Sequence, residues 1–214
     1  MKNIYSFWGK RPFLYSLSCV ITFLGREEVL RKKAVENLKL RKGDTVIDIA
    51  CGTGLNFPYL HNAVGNGGKI IGVDYSREML YSAGNRIKQK GWENVVLKHM
   101  NAAEMSLDTL FLEHEVDGIL STLGISAIPD HKQALAKAVE MLKYKGTLVI
   151  LDAKPFPETS LLRFFNPLIK YIYKQWANWN YEKDIIETLE KLAGKVDITE
   201  YNSGTIYIAT VIKS

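Results

Sequence analysis

The sequence predicts an α/β domain: a mostly parallel sheet flanked by helices, with an antiparallel hairpin at its C-terminal end. Three observations carry that prediction. Short apolar runs of strand length alternate with amphipathic helical stretches, the pattern of parallel strands joined by right-handed crossovers. Two of those runs end in a carboxylate, at Asp48 and Asp74, and the first continues into a glycine turn. The chain closes on two extended runs around Asn202-Ser203-Gly204, which fit a hairpin that adds an antiparallel edge to a parallel sheet. At 214 residues, 47% hydrophobic and 24% charged, the chain fits a single globular domain, 1–214, with a substantial core.

The elements follow in order. Glu27 to Leu40 has helical spacing, with Val29, Leu30, Ala34, Val35 and Leu38 on one side. Lys42-Gly43-Asp44 turns into a first strand beginning at Thr45. A helix follows from Leu55, with Asn56 as its cap and Pro58 in the first turn. Gly65-Asn66-Gly67-Gly68 ends that unit, and Lys69 to Asp74 is the second strand. Ser76 caps a helix carrying Met79, Leu80, Ala83 and Ile87 that closes near Gly91. Val95 to Leu97 and Val116 to Leu120 are the next strands. Asp130 caps a helix with Leu135, Ala138, Val139 and Leu142, and Thr147 to Leu151 follows the Tyr144-Lys145-Gly146 turn. Lys154 to Leu192 is aromatic and mostly helical, ahead of the hairpin of Val196 to Glu200 and Thr205 to Ile212.

Composition excludes several classes. Cys19 and Cys51 form no CxxC unit and no disulfide framework, and His61, His99, His114 and His131 lack metal-ligand spacing, so no metal is expected. The apolar run from Pro12 to Gly25 is shorter than the ~20 residues of a spanning helix. It also lacks a small-residue cleavage site before Arg26-Glu27-Glu28, so a cytoplasmic location is expected. A net charge of +5 is a mild bias toward anionic partners. The clusters Arg31-Lys32-Lys33 and Arg41-Lys42 are short enough to be solvated helix and loop faces, and no specific nucleic-acid signal stands out.

Ligands of open α/β sheets bind beyond the carboxyl ends of the strands. Asp48, Gly52, Gly54 and Asp74 all map to that rim. Glycines let the backbone approach a ligand and supply amides at a helix start, suited to a carboxylate. Asp74 can accept both hydroxyl hydrogens of a ribose, and Asp48 can attract an α-ammonium. A ligand with a cation and a diol fits this set better than a pyrophosphate, which Asp48 would repel. The dinucleotide pattern GxGxxG is also broken, by Ala50 and Phe57.

The stretch VIDIACGTGLNFPYL followed by IIGVDYSREML resembles the first motif and its successor in class I S-adenosylmethionine-dependent methyltransferases, from about Arg26 to Asp152. The resemblance implies a seven-stranded Rossmann-like methyltransferase sheet, S-adenosylmethionine as cofactor and S-adenosylhomocysteine as product. It places Asp48, Ala50, Cys51, Gly52 and Gly54 around the methionine moiety, Asp74 on the ribose, and Tyr75 and Met79 near the adenine. Asn101-Ala102 stands where family members often have Asp-Ala against the adenine amino group, and Ser121 lines the methyl-donor pocket. Ala50 replaces the first glycine of the usual GxGxG. Ser121-Thr122-Leu123-Gly124 is no DPPY-type tetrad, which argues against methylation of nucleobase or glutamine amino groups. No spacing selects a general base among Tyr5, His131 (a helix-start surface position) and Asp152, and no catalytic residue is assigned.

The acceptor side is unusual. Residues 1–40 form an aromatic, apolar N-terminal helical cap, and 154–194 a helical insertion. In the insertion Phe164, Phe165, Leu168, Ile169, Ile172, Tyr173 and Trp176 interleave with Arg163, Lys170 and Lys174. The simplest expectation for most of these residues is a pair of helices sealing the core; a greasy lid or an anionic-lipid contact is the alternative. The layout is similar to quinone-biosynthesis C-methyltransferases and phospholipid N-methyltransferases. It implies a small-molecule or lipid acceptor methylated at nitrogen or carbon, with peripheral membrane contact. An RNA or protein acceptor, a non-catalytic S-adenosylmethionine-binding module and a dinucleotide oxidoreductase are the competing readings. The oligomeric state is not legible.

Overall fold

The computed structural model describes residues 25–177 and 184–214, with Trp8, Lys10, Arg11, Phe13 and Leu14; the side chains of Ile172, Tyr173, Gln175, Trp176 and Ala177 fall outside that description. Residues 1–7 and 15–24 of the N-terminal cap, with Tyr5 and Cys19 among them, also lie outside it.

Seven strands form one sheet in the order β3-β2-β1-β4-β5-β7-β6. They are β1 (Thr45–Ile49), β2 (Lys69–Asp74), β3 (Val95–His99), β4 (Val116–Thr122), β5 (Leu142–Ala153), β6 (Asp197–Tyr201) and β7 (Ile206–Ile212). The first five are mutually parallel. β7 runs antiparallel between β5 and β6, so the hairpin enters the sheet with its second strand inside and its first at the edge. The mostly parallel sheet and antiparallel C-terminal pair match the predicted architecture. β5 begins earlier than predicted, at Leu142, because Leu142 already pairs with Val116; the register then shifts before the Gly118–Thr147 pair, across the segment where Lys145 takes a left-handed φ of +62°.

Strand alternation divides the core into two layers. Ile47, Ile49, Ile71, Val73, Ile119 and Ile150 face α5 (His131–Met141) and α7 (Ile185–Ala193). Val46, Ile70, Leu120, Val149 and Leu151 face α1 (Glu27–Asn37), α2 (Phe57–Val64) and α3 (Arg77–Lys90). Asp48 shares the parity of Val46, so its carboxylate points into the second layer. A single turn, α4 (Leu107–Leu110), and α6 (Asn166–Ala177) complete the described helices.

Local chemistry explains most boundaries. Ser76 Oγ accepts the Met79 N–H (3.3 Å), and Gly91 closes α3 at a left-handed φ of +66°. Two predicted caps differ. Neither Asn56 nor Asp130 makes a side-chain cap; the Asn56 amide is instead committed to a tertiary network described below. Val29 is exposed rather than on the core face of α1. The insertion also departs from expectation: α7 seals the core through Ile185 and Leu189, whereas Phe164, Phe165 and Leu168 are exposed.

Candidate cofactor site

Ile49 lies beside Val73 of β2 and Ser121 of β4, so the chain leaves β1 between two strand tips at the switch point of the sheet. The Cys51 N–H continues the ladder for one more bond, to the Val73 carbonyl (3.0 Å). The loop then turns through left-handed residues: Ala50 at φ +53°, Gly52 at +57° and Gly54 at +75°. A Cβ on Gly54 would lie 2.5 Å from the Phe57 ring, so glycine is required there for space as well as conformation. Ala50 holds its conformation against a strain of about 1–2 kcal/mol. That strain accounts for a glycine in the usual motif.

Asp74 organises the loop. Its Oδ2 accepts the Gly52 N–H and its Oδ1 the Ser76 N–H, both at 2.8 Å, which ties the glycine turn to the start of α3. Burial raises the carboxyl's pKa; the two amides and nearby His99 oppose that shift without cancelling it. Each oxygen retains acceptor capacity for a vicinal diol.

Asp48 sits at the centre of a buried polar network. Asn56 Nδ2 donates to both of its oxygens (2.9 and 3.1 Å) and lies 3.0 Å from Thr122 Oγ1. Arg31, buried on α1, donates to Asn56 Oδ1 (2.8 Å) and Thr122 Oγ1 (2.6 Å), and Glu27 holds it from one turn back (2.8 Å). Burial pushes the Asp48 carboxyl up to about 7, against the Asn56 hydrogen bond and the Arg31 charge, with Asp74 adding to the rise. Arg31 is thus not the solvated helix-face residue predicted. Arg31, Asn56 and Thr122 are site residues the sequence reading missed; the Glu27–Arg31 spacing of four was the available signal. Arg86 braces the loop from α3 by donating to the Thr53 carbonyl (3.0 Å).

The remaining predicted residues distribute around this rim. Tyr75 is exposed, and its carbonyl accepts from His99 Nε2 (2.9 Å). Met79 is buried in the first turn of α3. Asn101 Oδ1 accepts the Ala103 N–H (3.1 Å) and starts the short turn that contains buried Ala102. The neighbouring Met100 N–H donates to the Asp74 carbonyl (3.1 Å), which links that turn to β2. Ser121 is fully buried, with its hydroxyl donated to the Ile49 carbonyl (3.0 Å). After it, Leu123 takes a left-handed φ of +53°. A Cβ on Gly124 would lie 2.5 Å from that of Ala50, so the loops after β1 and β4 touch. Cys51 is a free, buried thiol whose pKa burial raises well above the ordinary value, with Asp74 and Asp48 adding to the effect.

Of the three candidate bases, Tyr5 lies outside the described residues. His131 is buried at the start of α5 rather than on the surface. Asp152 is buried, accepting from the Ser126 N–H (3.1 Å) and hydroxyl (3.0 Å). Among the described residues no His, Cys, Asp and Glu cluster could hold a metal ion.

The site fits a zwitterionic nucleoside with a cation and a diol. Two carboxylates stand one strand apart at the rim, and the buried Thr53 Oγ1 within the turn has no hydrogen-bond partner among the described residues. A buried hydroxyl of that kind costs about 1–3 kcal/mol unless a ligand or water meets it. A pyrophosphate would bring like charge against both acids.

The seven-stranded order and this rim define a class I S-adenosylmethionine-dependent methyltransferase fold. A methyltransferase-domain family model matches residues 40–201, and the chain belongs to that family. Membership implies S-adenosylmethionine as the cofactor. Among relatives, a demethylmenaquinone methyltransferase of Alkalihalophilus pseudofirmus is 30% identical over 64% of this chain and 56% of its own length. One from Oceanobacillus iheyensis is 26% identical over 93% of this chain and 81% of its own length. The chain thus spans just over half of the first of these relatives. A solved S-adenosylmethionine-dependent methyltransferase of Aquifex aeolicus superposes with a TM-score of 0.63 at 18% identity, covering 86% of this chain and 89% of that one.

Proposed function

We propose that this protein transfers the methyl group of S-adenosylmethionine to a small lipophilic acceptor, of which a demethylated quinol is the first to test, and releases S-adenosylhomocysteine. The observation that carries this reading is the Asp74 carboxylate, fixed by two backbone amides at the tip of β2 and one strand from Asp48. Asp74 takes the ribose hydroxyls. The backbone of Ala50, Cys51, Gly52 and Gly54 surrounds the methionine portion, with Asp48 supplying negative charge toward its ammonium. Tyr75 and Met79 flank the adenine, Asn101 and Ala102 meet its amino group, and Ser121 backs the methyl donor. Residues 1–40 and 154–194 form the acceptor side. The acceptor class is supported by the names of the quinone-methylating relatives and by apolar side chains in the insertion.

Transfer from a sulfonium demands in-line approach of the nucleophile, and orientation alone can supply ~7–11 kcal/mol of such a barrier. A ring-carbon acceptor gives up one proton as the carbon–methyl bond forms and the sulfonium becomes a thioether. No residue is assigned as general base. The test is incubation with radiolabelled S-adenosylmethionine and either a demethylated quinol in detergent or a total lipid extract. Label should enter the organic phase. Label confined to RNA or protein, or none despite calorimetric cofactor binding, would overturn the lipophilic reading.

A further inference from the structure

Between Glu158 and Glu182 the only charged side chains are Arg163, Lys170 and Lys174. The same stretch presents large apolar side chains to solvent: Leu161 is 87% exposed and Phe164 77%, and Phe165, Leu168 and Tyr171 are each more than half exposed. None of the residues in the short helical turn Leu161–Phe165 is buried. Among the described residues the main neighbour of α6 is that adjoining turn, and no strand makes a comparable set of contacts with it. Asn166, Lys170 and Lys174 follow one another at a spacing of four and, with Pro167 and Tyr171, line an open groove of about 380 Å³. The unit is nevertheless anchored. Asn166 exchanges two hydrogen bonds with the backbone of Phe156 (2.8 and 3.0 Å). Pro157 packs so closely on the β6–β7 turn that a Cβ on Gly204 would lie 2.7 Å from it.

Exposed aromatics and leucines beside Lys170 and Lys174, with Arg163 held to Glu158 (3.5 Å) at the edge of the patch, match the interface of an anionic bilayer in both polarity and charge. Nucleic acid is a poorer match, because Leu161 and Leu168 offer no ring on which a base could stack. We infer that the Leu161–Phe165 turn and α6 form a docking face for an anionic lipid bilayer: Phe164, Phe165 and Leu168 enter the acyl boundary while Lys170 and Lys174 meet headgroup phosphates. The face grows from the C-terminal end of β5, the rim that carries Asp48 and Asp74, so a bilayer held there brings a membrane-dissolved acceptor to the cofactor's side of the sheet. The inference deepens the lipophilic-acceptor reading, and lipid binding is measured without turnover, so either can fail alone.

The test is flotation of the full chain with vesicles of phosphatidylcholine alone and of phosphatidylcholine mixed with phosphatidylglycerol. The protein should float with the anionic vesicles and remain behind with the neutral ones. Lys170→Glu/Lys174→Glu should lower partitioning at least about 30-fold, from roughly fivefold per cation removed. Phe164→Ser/Phe165→Ser should release the protein from the same vesicles. Both double variants should retain the parent's calorimetric affinity for S-adenosylmethionine, which shows that they fold. Absence of flotation with either vesicle, flotation of both variants at the parent's level, or transfer of the protein from vesicles to added RNA would overturn the inference.

Discussion

At the tips of β1 and β2 almost every polar group is committed. Asp74 holds two loop amides, Asp48 holds Asn56, and a guanidinium from α1 closes the network from outside the motif. After β5, on the same rim, the chain does the reverse and turns phenylalanine and leucine side chains toward water. The first region is preorganised, its charges fixed before a ligand arrives. The second contributes little burial to the fold, and its apolar surface is the face inferred above to meet a bilayer. Substitutions should therefore separate the two regions cleanly.

The largest effect is expected at Arg31. Arg31→Met leaves Asp48, Asn56 and Glu27 without their shared cation, and removing one partner of a buried charged network costs about 3 kcal/mol or more. Urea unfolding should show that loss, and the Asp48 carboxyl should titrate higher than in the parent. Equal stability would mean that the network is not held through α1.

Next is the pH dependence centred on Asp48. Its folded value of about 7 lies above the ordinary 3.8. Across that interval the folded protein keeps a proton the unfolded chain has released, so Asp48's contribution to stability is fullest below the interval and is lost as pH rises through about 7. Affinity for S-adenosylmethionine should run the other way, tightening as the carboxylate ionises to meet the ammonium. Asp48→Asn should flatten this part of the affinity profile, as read by calorimetry across the interval.

Ala50→Gly should relieve the left-handed strain and stabilise the fold by about 1 kcal/mol, visible as a higher denaturation midpoint. The smallest effect belongs to the other region. Phe164→Ser should change stability by less than about 0.5 kcal/mol, the usual range for exposed positions. A large loss there would mean that the aromatic turn is part of the core and would erase the contrast.

The two regions also differ in how far the sequence discloses them. Asp48 and Asp74 were legible because each ends an apolar run of strand length, and Ser76 and Gly91 because capping is local chemistry. Asn56 looked like another cap, but its amide bonds Asp48 and lies beside Thr122, which is far along the chain and close only once β4 pairs with β1. Arg31 looked like one of three surface cations, and its burial depends on α1 docking over the strand tips. The Phe164 segment resembled core because hydrophobicity predicts burial only in one direction: apolar surface is common on folded proteins. Local patterns thus disclosed the strands, turns and acids, while contacts across the sheet determined which polar groups complete the site.

The most direct measurement is calorimetric titration of S-adenosylmethionine into the parent and into Asp74→Asn, with NAD as a competitor. The parent should bind S-adenosylmethionine and ignore NAD. Asp74→Asn, still folded, should bind at least about tenfold more weakly, the low end for losing charge-assisted hydrogen bonds. Unchanged affinity in the variant, or displacement of S-adenosylmethionine by NAD in the parent, would contradict the assignment of this rim to a sulfonium nucleoside.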